Sequence, residues 1–200
     1  MLQLYDNAVS GNAYKVRLML AHLEMAYERI PVSVTDRSNR EGLFAGKNPA
    51  LRIPVLRLDD GRFLAESNAI IWYLAEGTSY LPDDRYERAQ VLQWMFFEQY
   101  DHEPSIAVAR FLLHYSDNPA RHADIVAQKQ ELGRKALRAM DRRLDESEFL
   151  ASDTYTVADI ALYAYTHVAD EAGIDLHEHP NVASWLARVA AQSGHVPIDA

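Results

Sequence analysis

The chain has 200 residues, 48% of them apolar, and its 20 Lys+Arg against 29 Asp+Glu give a formal net charge of −9. That length supports one large domain or two small ones with separate cores. The acidic balance argues against a nucleic-acid binder or a protein that docks on anionic lipid, since both present basic faces. The acid is unevenly spread: residues 1–80 carry 9 basic and 9 acidic side chains, and residues 81–200 carry 11 and 20. This asymmetry is a first sign of two domains. Cysteine is absent, which removes disulfides, cysteine nucleophiles and thiolate metal sites together. Met1 to Asp6 lacks the basic and apolar regions of a signal peptide, and no apolar run approaches the roughly 20 residues of a membrane span. The expectation is a soluble, cytoplasmic protein.

In chain order, Leu2 to Tyr5 predicts a short strand, and Ser10-Gly11-Asn12 supplies turn and helix-start chemistry. Val16, Met19, Leu20 and Leu23 then fall on one face of a helix. Ile30, Val32 and Val34 alternate as a strand does, and Pro31 within it points to a sheet edge. Residues 36–48 are polar and contain glycine, which predicts irregular structure. Val55 to Leu58 and Arg62 to Leu64 flank Asp59-Asp60-Gly61, a hairpin signature. Glu66-Ser67-Asn68 leads straight into the apolar run Ala69 to Leu74, predicting a buried helix capped by Ser67. The order β-α-β-β-β-α specifies a small mixed sheet with helices packed on it.

After Pro82 everything reads as helix. Residues 86–115 form a long segment that Pro104 should kink or break. Residues 120–146 are charged and amphipathic, with Leu137, Met140 and Leu144 on one side. Thr156-Val157-Ala158-Asp159 is a capping box, flanked by Tyr155 and Ile160 at staple positions. Asp159 is therefore read as structural. Pro180 suits the first turn of a last helix, in which Val182, Trp185, Leu186 and Val189 repeat at helical spacing. The fold class is α+β, with a domain over residues 1–78, a linker over 79–85 and an all-helical domain over 86–200. His177 and His179 bracket Glu178 without a third ligand, so no metal site is expected.

Four features, in this order and at these spacings, resemble the cytosolic glutathione transferases, of the serine-type kind: Ser10-Gly11-Asn12, Ile53-Pro54-Val55-Leu56, Glu66-Ser67-Asn68-Ala69-Ile70, and the box from Thr156 to Asp159. The resemblance covers nearly the whole chain. It implies a thioredoxin-like N-terminal domain that holds glutathione, followed by a helical domain that takes a small hydrophobic electrophile. It also implies a homodimer, with glutathione as co-substrate and no other cofactor. Ser67, at the start of its helix, would hold the γ-glutamyl carboxylate, and Glu66 the ammonium. Pro54 would be cis, and the Ile53 backbone would pair with the cysteinyl unit as a short strand does. Arg52 would approach the glycine carboxylate, with Asn48 and Arg37 as further candidates. Asp101 matches the region that reaches the partner subunit's glutathione in related dimers.

The thiolate is the reactive form of a thiol whose free pKa is about 8.5, so the site needs a donor aimed at sulfur. The resemblance assigns this role to Ser10. Tyr5, at the end of the first strand, is the rival, and Asn12 is a second donor or a turn former. Part of Trp94 to Tyr100, with Arg110 and Tyr163, is a candidate lining for the electrophile, although core packing accounts for the same residues. Ala13 stands where some bacterial relatives carry cysteine, so a mixed disulfide on the protein is impossible. Two alternatives remain beside conjugation: a glutathione-dependent reductase or peroxidase, and a non-catalytic protein-binding relative.

Overall fold

A computed structural model describes all of residues 1–200. The chain forms two compact units, Met1–Gly77 together with Ser193–Ala200, and Thr78–Gln192. The first unit is built on a four-stranded sheet of order β2-β1-β3-β4, with β1 Leu2–Asp6, β2 Tyr27–Pro31, β3 Val55–Arg57 and β4 Phe63–Ala65. β1 pairs parallel with β2, Tyr5 opposite Ile30, and antiparallel with β3, Tyr5 opposite Val55. β2 is an edge, which is why Pro31 is tolerated there. It begins earlier than the Ile30–Val34 alternation suggests, because parallel pairing with β1 sets its limits at Tyr27 and Pro31. The β3–β4 hairpin turns through Gly61 at φ +88, a conformation that favours glycine.

Helix α1 (Gly11–His22) and α3 (Ser67–Ala75) pack against each other. Residues 36–48, expected to be irregular, contain the short helix α2 (Arg40–Phe44). Its Phe44 joins Tyr5, Val32 and Val55 in a buried cluster, and that tertiary contact holds five residues in a helix their polarity alone would not favour. A buried ion pair closes the end of β1: Asp6 is bound by Arg17 at 2.6 Å and by Arg29 at 2.7 Å.

The last residues depart from the sequence reading, which placed them with the helical domain. Ser193–Ala200 belongs to the first unit. Tyr14 donates to the Val196 carbonyl at 2.6 Å, Arg29 to that of Ala200 at 2.6 Å, and Arg17 to that of Ile198. His22 Nδ1 bonds the Ser193 carbonyl at 2.9 Å. Because main-chain carbonyls accept all of these bonds, the attachment leaves little trace in the tail's side-chain sequence.

The second unit is helical: α4 (Arg85–Phe97), α5 (Glu103–His114), α6 (Ala123–Leu144), α7 (Val157–Thr166) and α8 (Pro180–Ala190). Pro104 does not break the long segment. It stands in the first turn of α5, where no intrahelical donor is required, and a π-helical turn over Glu98–His102 joins α4 to α5. The capping box forms as the sequence predicts, with Thr156 and Asp159 bonded reciprocally. Asp159, fully buried, accepts from the Leu150, Thr156 and Trp185 N–H groups and from the Thr156 hydroxyl, at 2.9 to 3.1 Å. Burial pushes its carboxyl up, and these donors oppose the shift. No helix is long and apolar enough to cross a membrane.

Candidate functional site

The turn after β1 delivers Ser10 in extended conformation at the N-cap of α1. Its Oγ accepts the Ala13 N–H at 3.2 Å, so the residue does cap its helix. Capping occupies a lone pair and leaves the single hydroxyl proton to be donated elsewhere. The capping and donating roles are therefore compatible. The half-buried Ser10 stands at the N-terminus of α1, where the helix dipole favours negative charge.

Two residues on, Asn12 points to a different partner. Its Oδ1 accepts from the Ser67 hydroxyl at 3.2 Å. Ser67 Oγ in turn accepts from the Lys15 ammonium at 3.3 Å, and Lys15 also donates to Asn68 Oδ1 at 3.2 Å. Asn12, Lys15, Ser67 and Asn68 thus form one polar cluster where α1 meets the start of α3. Ser67 is not the cap of α3, as the sequence suggested, but its first helical residue. The cap position falls to Glu66, whose side chain makes no capping bond. The Ser67 hydroxyl is directed at Asn12, and the positive end of the α3 dipole at this start suits an anion.

Glu66 is exposed and adopts φ +66, ψ 115, a region that side chains rarely occupy. Strained non-glycine backbone of this kind costs about 1–3 kcal/mol and concentrates at ligand sites. Ile53-Pro54 is a cis peptide, and the β3 ladder begins only at Val55, so the Ile53 backbone stands outside the ladder beside it.

Tyr5 is 8% exposed and belongs to the buried cluster, edge-on to Phe44 at 5.7 Å. The Lys47 ammonium sits over its ring at 5.3 Å and over Phe63 at 5.6 Å. Arg52 is exposed, and its carbonyl accepts from Asn48 Nδ2 at 2.8 Å. Asn48 also accepts the Ala50 N–H at 2.9 Å, so its amide closes its own loop and is committed there. Arg37 is exposed on the loop before α2.

In the second unit Asp101 lies exposed on the π turn, its carbonyl accepting from Ser105 Oγ at 2.7 Å. Arg110 is bound to Glu171 at 2.7 Å. Tyr163 is buried, stacked on His167 at 4.8 Å, and burial pushes its phenol up. Both are thereby held within the helical packing. No three acidic or histidine side chains gather in a way that could hold a metal ion.

Sequence reasoning missed Lys15, Lys47 and Asn68. Lys15 had a usable signal. It stands three residues after Asn12 on one helix face, inside a run from Ala13 to Leu20 that is buried throughout. A lysine at such a position requires polar partners.

A thioredoxin-like unit with a cis-proline loop and an anion-ready helix start, followed by an all-helical unit, defines the class of fold and site. A model of the glutathione S-transferase N-terminal domain matches residues 9–76, and one of the C-terminal domain matches residues 101–193. The chain belongs to the glutathione S-transferase family. It is similar to the crystal structure of a glutathione S-transferase from Pseudomonas fluorescens Pf-5, at 45% identity and TM-score 0.94 over 98% of each chain. A possible glutathione S-transferase from Rhodopseudomonas palustris is 43% identical with TM-score 0.95, over 100% of this chain and 90% of that one. The disulfide-bond oxidoreductase YfcG of Escherichia coli is 28% identical, over 96% of this chain and 91% of its own.

Proposed function

We propose that this protein is a glutathione transferase whose first unit binds glutathione and activates its thiol. The observation that carries the reading is the presence together of Ser10, which caps α1 through a lone pair and keeps a hydroxyl proton to give, and the Ser67 cluster at the start of α3. The γ-glutamyl carboxylate takes the N-terminal end of α3 and the Ser67 hydroxyl, whose single proton turns from Asn12 to the carboxylate, and the γ-glutamyl ammonium faces Glu66. The cysteinyl backbone pairs with Ile53. The glycine carboxylate lies toward the cationic loop of Lys47 and Arg52.

Ser10 donates to sulfur and stabilises the thiolate, while the thiol proton leaves to solvent. The thiolate attacks a small apolar electrophile, forming a carbon–sulfur bond as the leaving group departs with its electron pair. Holding both reactants together adds the usual proximity advantage. The proposal includes a homodimer in which Asp101 of one subunit approaches the glutathione of the other. Tyr5, within the buried cluster, acts as a wall of the site and is the less suited activator.

The test is the ultraviolet absorbance of the thiolate of bound glutathione, followed against pH. In the wild type the bound thiol should titrate about two units below its free value, and Ser10→Ala should lose most of that shift, worth about 2.7 kcal/mol. A shift that survives in Ser10→Ala transfers the role to Tyr5 or Asn12. Failure to bind glutathione removes the catalytic readings and leaves a protein-binding module.

A second reading is favoured by the similarity to the E. coli disulfide-bond oxidoreductase. In it, glutathione thiolate bound at the same site attacks a disulfide or peroxide, and a second glutathione completes the reduction as glutathione disulfide. The protein contains no cysteine, so bound glutathione itself would supply every thiol. Thioether product supports conjugation, and glutathione disulfide supports reduction.

A further inference from the structure

We propose that Lys15 is a positioning and specificity residue of this site: its ammonium aims the Ser67 hydroxyl and supplies fixed positive charge behind the γ-glutamyl carboxylate. The inference rests on the glutathione reading above and deepens it.

Lys15 is 0% exposed. Lysine is almost never fully buried unless its charge has partners, because removing an ammonium from water is costly. Here the ammonium reaches from α1 to the first two residues of α3, Ser67 Oγ and Asn68 Oδ1. Ser67 has one proton and gives it to Asn12 Oδ1, while Lys15 takes a lone pair. The oxygen is therefore held by Lys15 before any ligand arrives, and the proton alone turns from Asn12 to an incoming carboxylate. A carboxylate accepting from Ser67 would lie within about 6 Å of the ammonium, and the burial of Lys15 weakens the screening of that pair by salt. Accepting from the ammonium also polarises the hydroxyl and makes it a better donor.

Lys15 bonds Ser67 and Asn68 at the start of α3, so its contribution is to binding one end of the peptide rather than to thiol chemistry. A group that acts equally on ground and transition states changes KM and leaves kcat alone. The specificity that follows is for a ligand with a carboxylate at the γ-glutamyl end.

The experiment uses the full chain and two peptides, glutathione and 4-aminobutanoyl-Cys-Gly, which lacks the γ-glutamyl carboxylate. Lys15→Met should weaken glutathione binding by about 10- to 100-fold and the shortened peptide by less than about twofold. With glutathione, KM should rise while kcat and the pKa of the bound thiol stay in place. Lys15→Arg, which keeps the charge, should recover most of the loss. Should Lys15→Met fail to fold, Lys15→Gln carries the test, since it keeps a polar group beside Ser67 and Asn68 and removes the charge. Equal losses for the two peptides, or none for either, overturn the proposal. Failure of the wild type to bind glutathione is a separate result, seen before any substitution, and it removes the reading beneath.

Discussion

Asp159 allows a stability prediction to be worked from named donors. Its Oδ1 accepts the Leu150 and Trp185 N–H groups, and its Oδ2 accepts the Thr156 N–H and hydroxyl. Asn is nearly isosteric but has only one acceptor oxygen. Placing that oxygen at the Oδ1 position keeps both N–H partners there. The new NH2 then faces Thr156, whose hydroxyl can turn and accept, and only the Thr156 N–H is stranded. One stranded buried donor costs about 1–3 kcal/mol. Asp159→Ala strands all three N–H groups, opens a cavity and removes the capping box, for a loss of about 4 kcal/mol or more. Urea unfolding followed by tryptophan fluorescence and by circular dichroism reads both variants, Trp185 being itself a ligand of the carboxylate. The expected order is wild type, Asn, Ala. An Asn variant as unstable as Ala would refute the rotamer argument, and two variants within about 0.5 kcal/mol of wild type would refute the structural role altogether.

Three further outcomes follow from the packing. Burial holds His22 and His195 below the ordinary imidazole value, so the unfolded chain binds protons more readily than the native one. Their contribution is present above about pH 6.5 and is lost as pH falls through the lowered native values; hydrogen exchange of residues 193–200 should speed up in that window, and His22→Asn with His195→Asn should flatten the response. Arg17→Met removes the buried partner of Asp6 and the donor to the Ile198 carbonyl. It should cost about 3 kcal/mol or more in urea unfolding and release the tail to proteolysis. A Cβ on Gly133 would lie 2.5 Å from Ile174 Cδ1 and 3.4 Å from Ile106 Cγ1. Gly133→Ala should therefore lose about 1 kcal/mol by overpacking, against the helix-propensity gain, and a raised urea midpoint would contradict this.

The readable parts of the sequence were those governed by local chemistry. The hairpin at Asp59-Asp60-Gly61, the capping box at Thr156 and the edge position of Pro31 each depend on a few neighbouring residues, and each is present. What escaped the sequence depends on partners far along the chain. Helix α2 exists because Phe44 packs on Tyr5. Pro104 is absorbed because the preceding turn widens. Ser67 reads as a cap from its spacing, yet its hydroxyl turns to Asn12, a residue 55 positions earlier. The tail's attachment runs through its carbonyls, which every sequence possesses.

These long-range contacts share an element. Along α1, Ser10 caps the helix, Asn12 and Lys15 reach the start of α3, and Tyr14, Arg17 and His22 hold the tail. Helical spacing turns Tyr14 and Arg17 away from Asn12 and Lys15, while His22 lies two turns beyond Lys15 on its face, so a disturbance at Tyr14 or Arg17 is felt at the start of α3 mainly through the position of the helix itself. Arg17 also binds Asp6 and the Asn7 and Ala8 carbonyls, which fixes the turn that presents Ser10. Losing the tail contacts alone should therefore leave the Ser10 cap nearly in place, whereas losing Arg17 should shift it. The pKa of bound glutathione in Arg17→Met, compared with a chain shortened after Gln192, separates the two. A thiolate shift lost in the shortened chain but kept in Arg17→Met would place control of the site in the tail and refute the assignment to the turn.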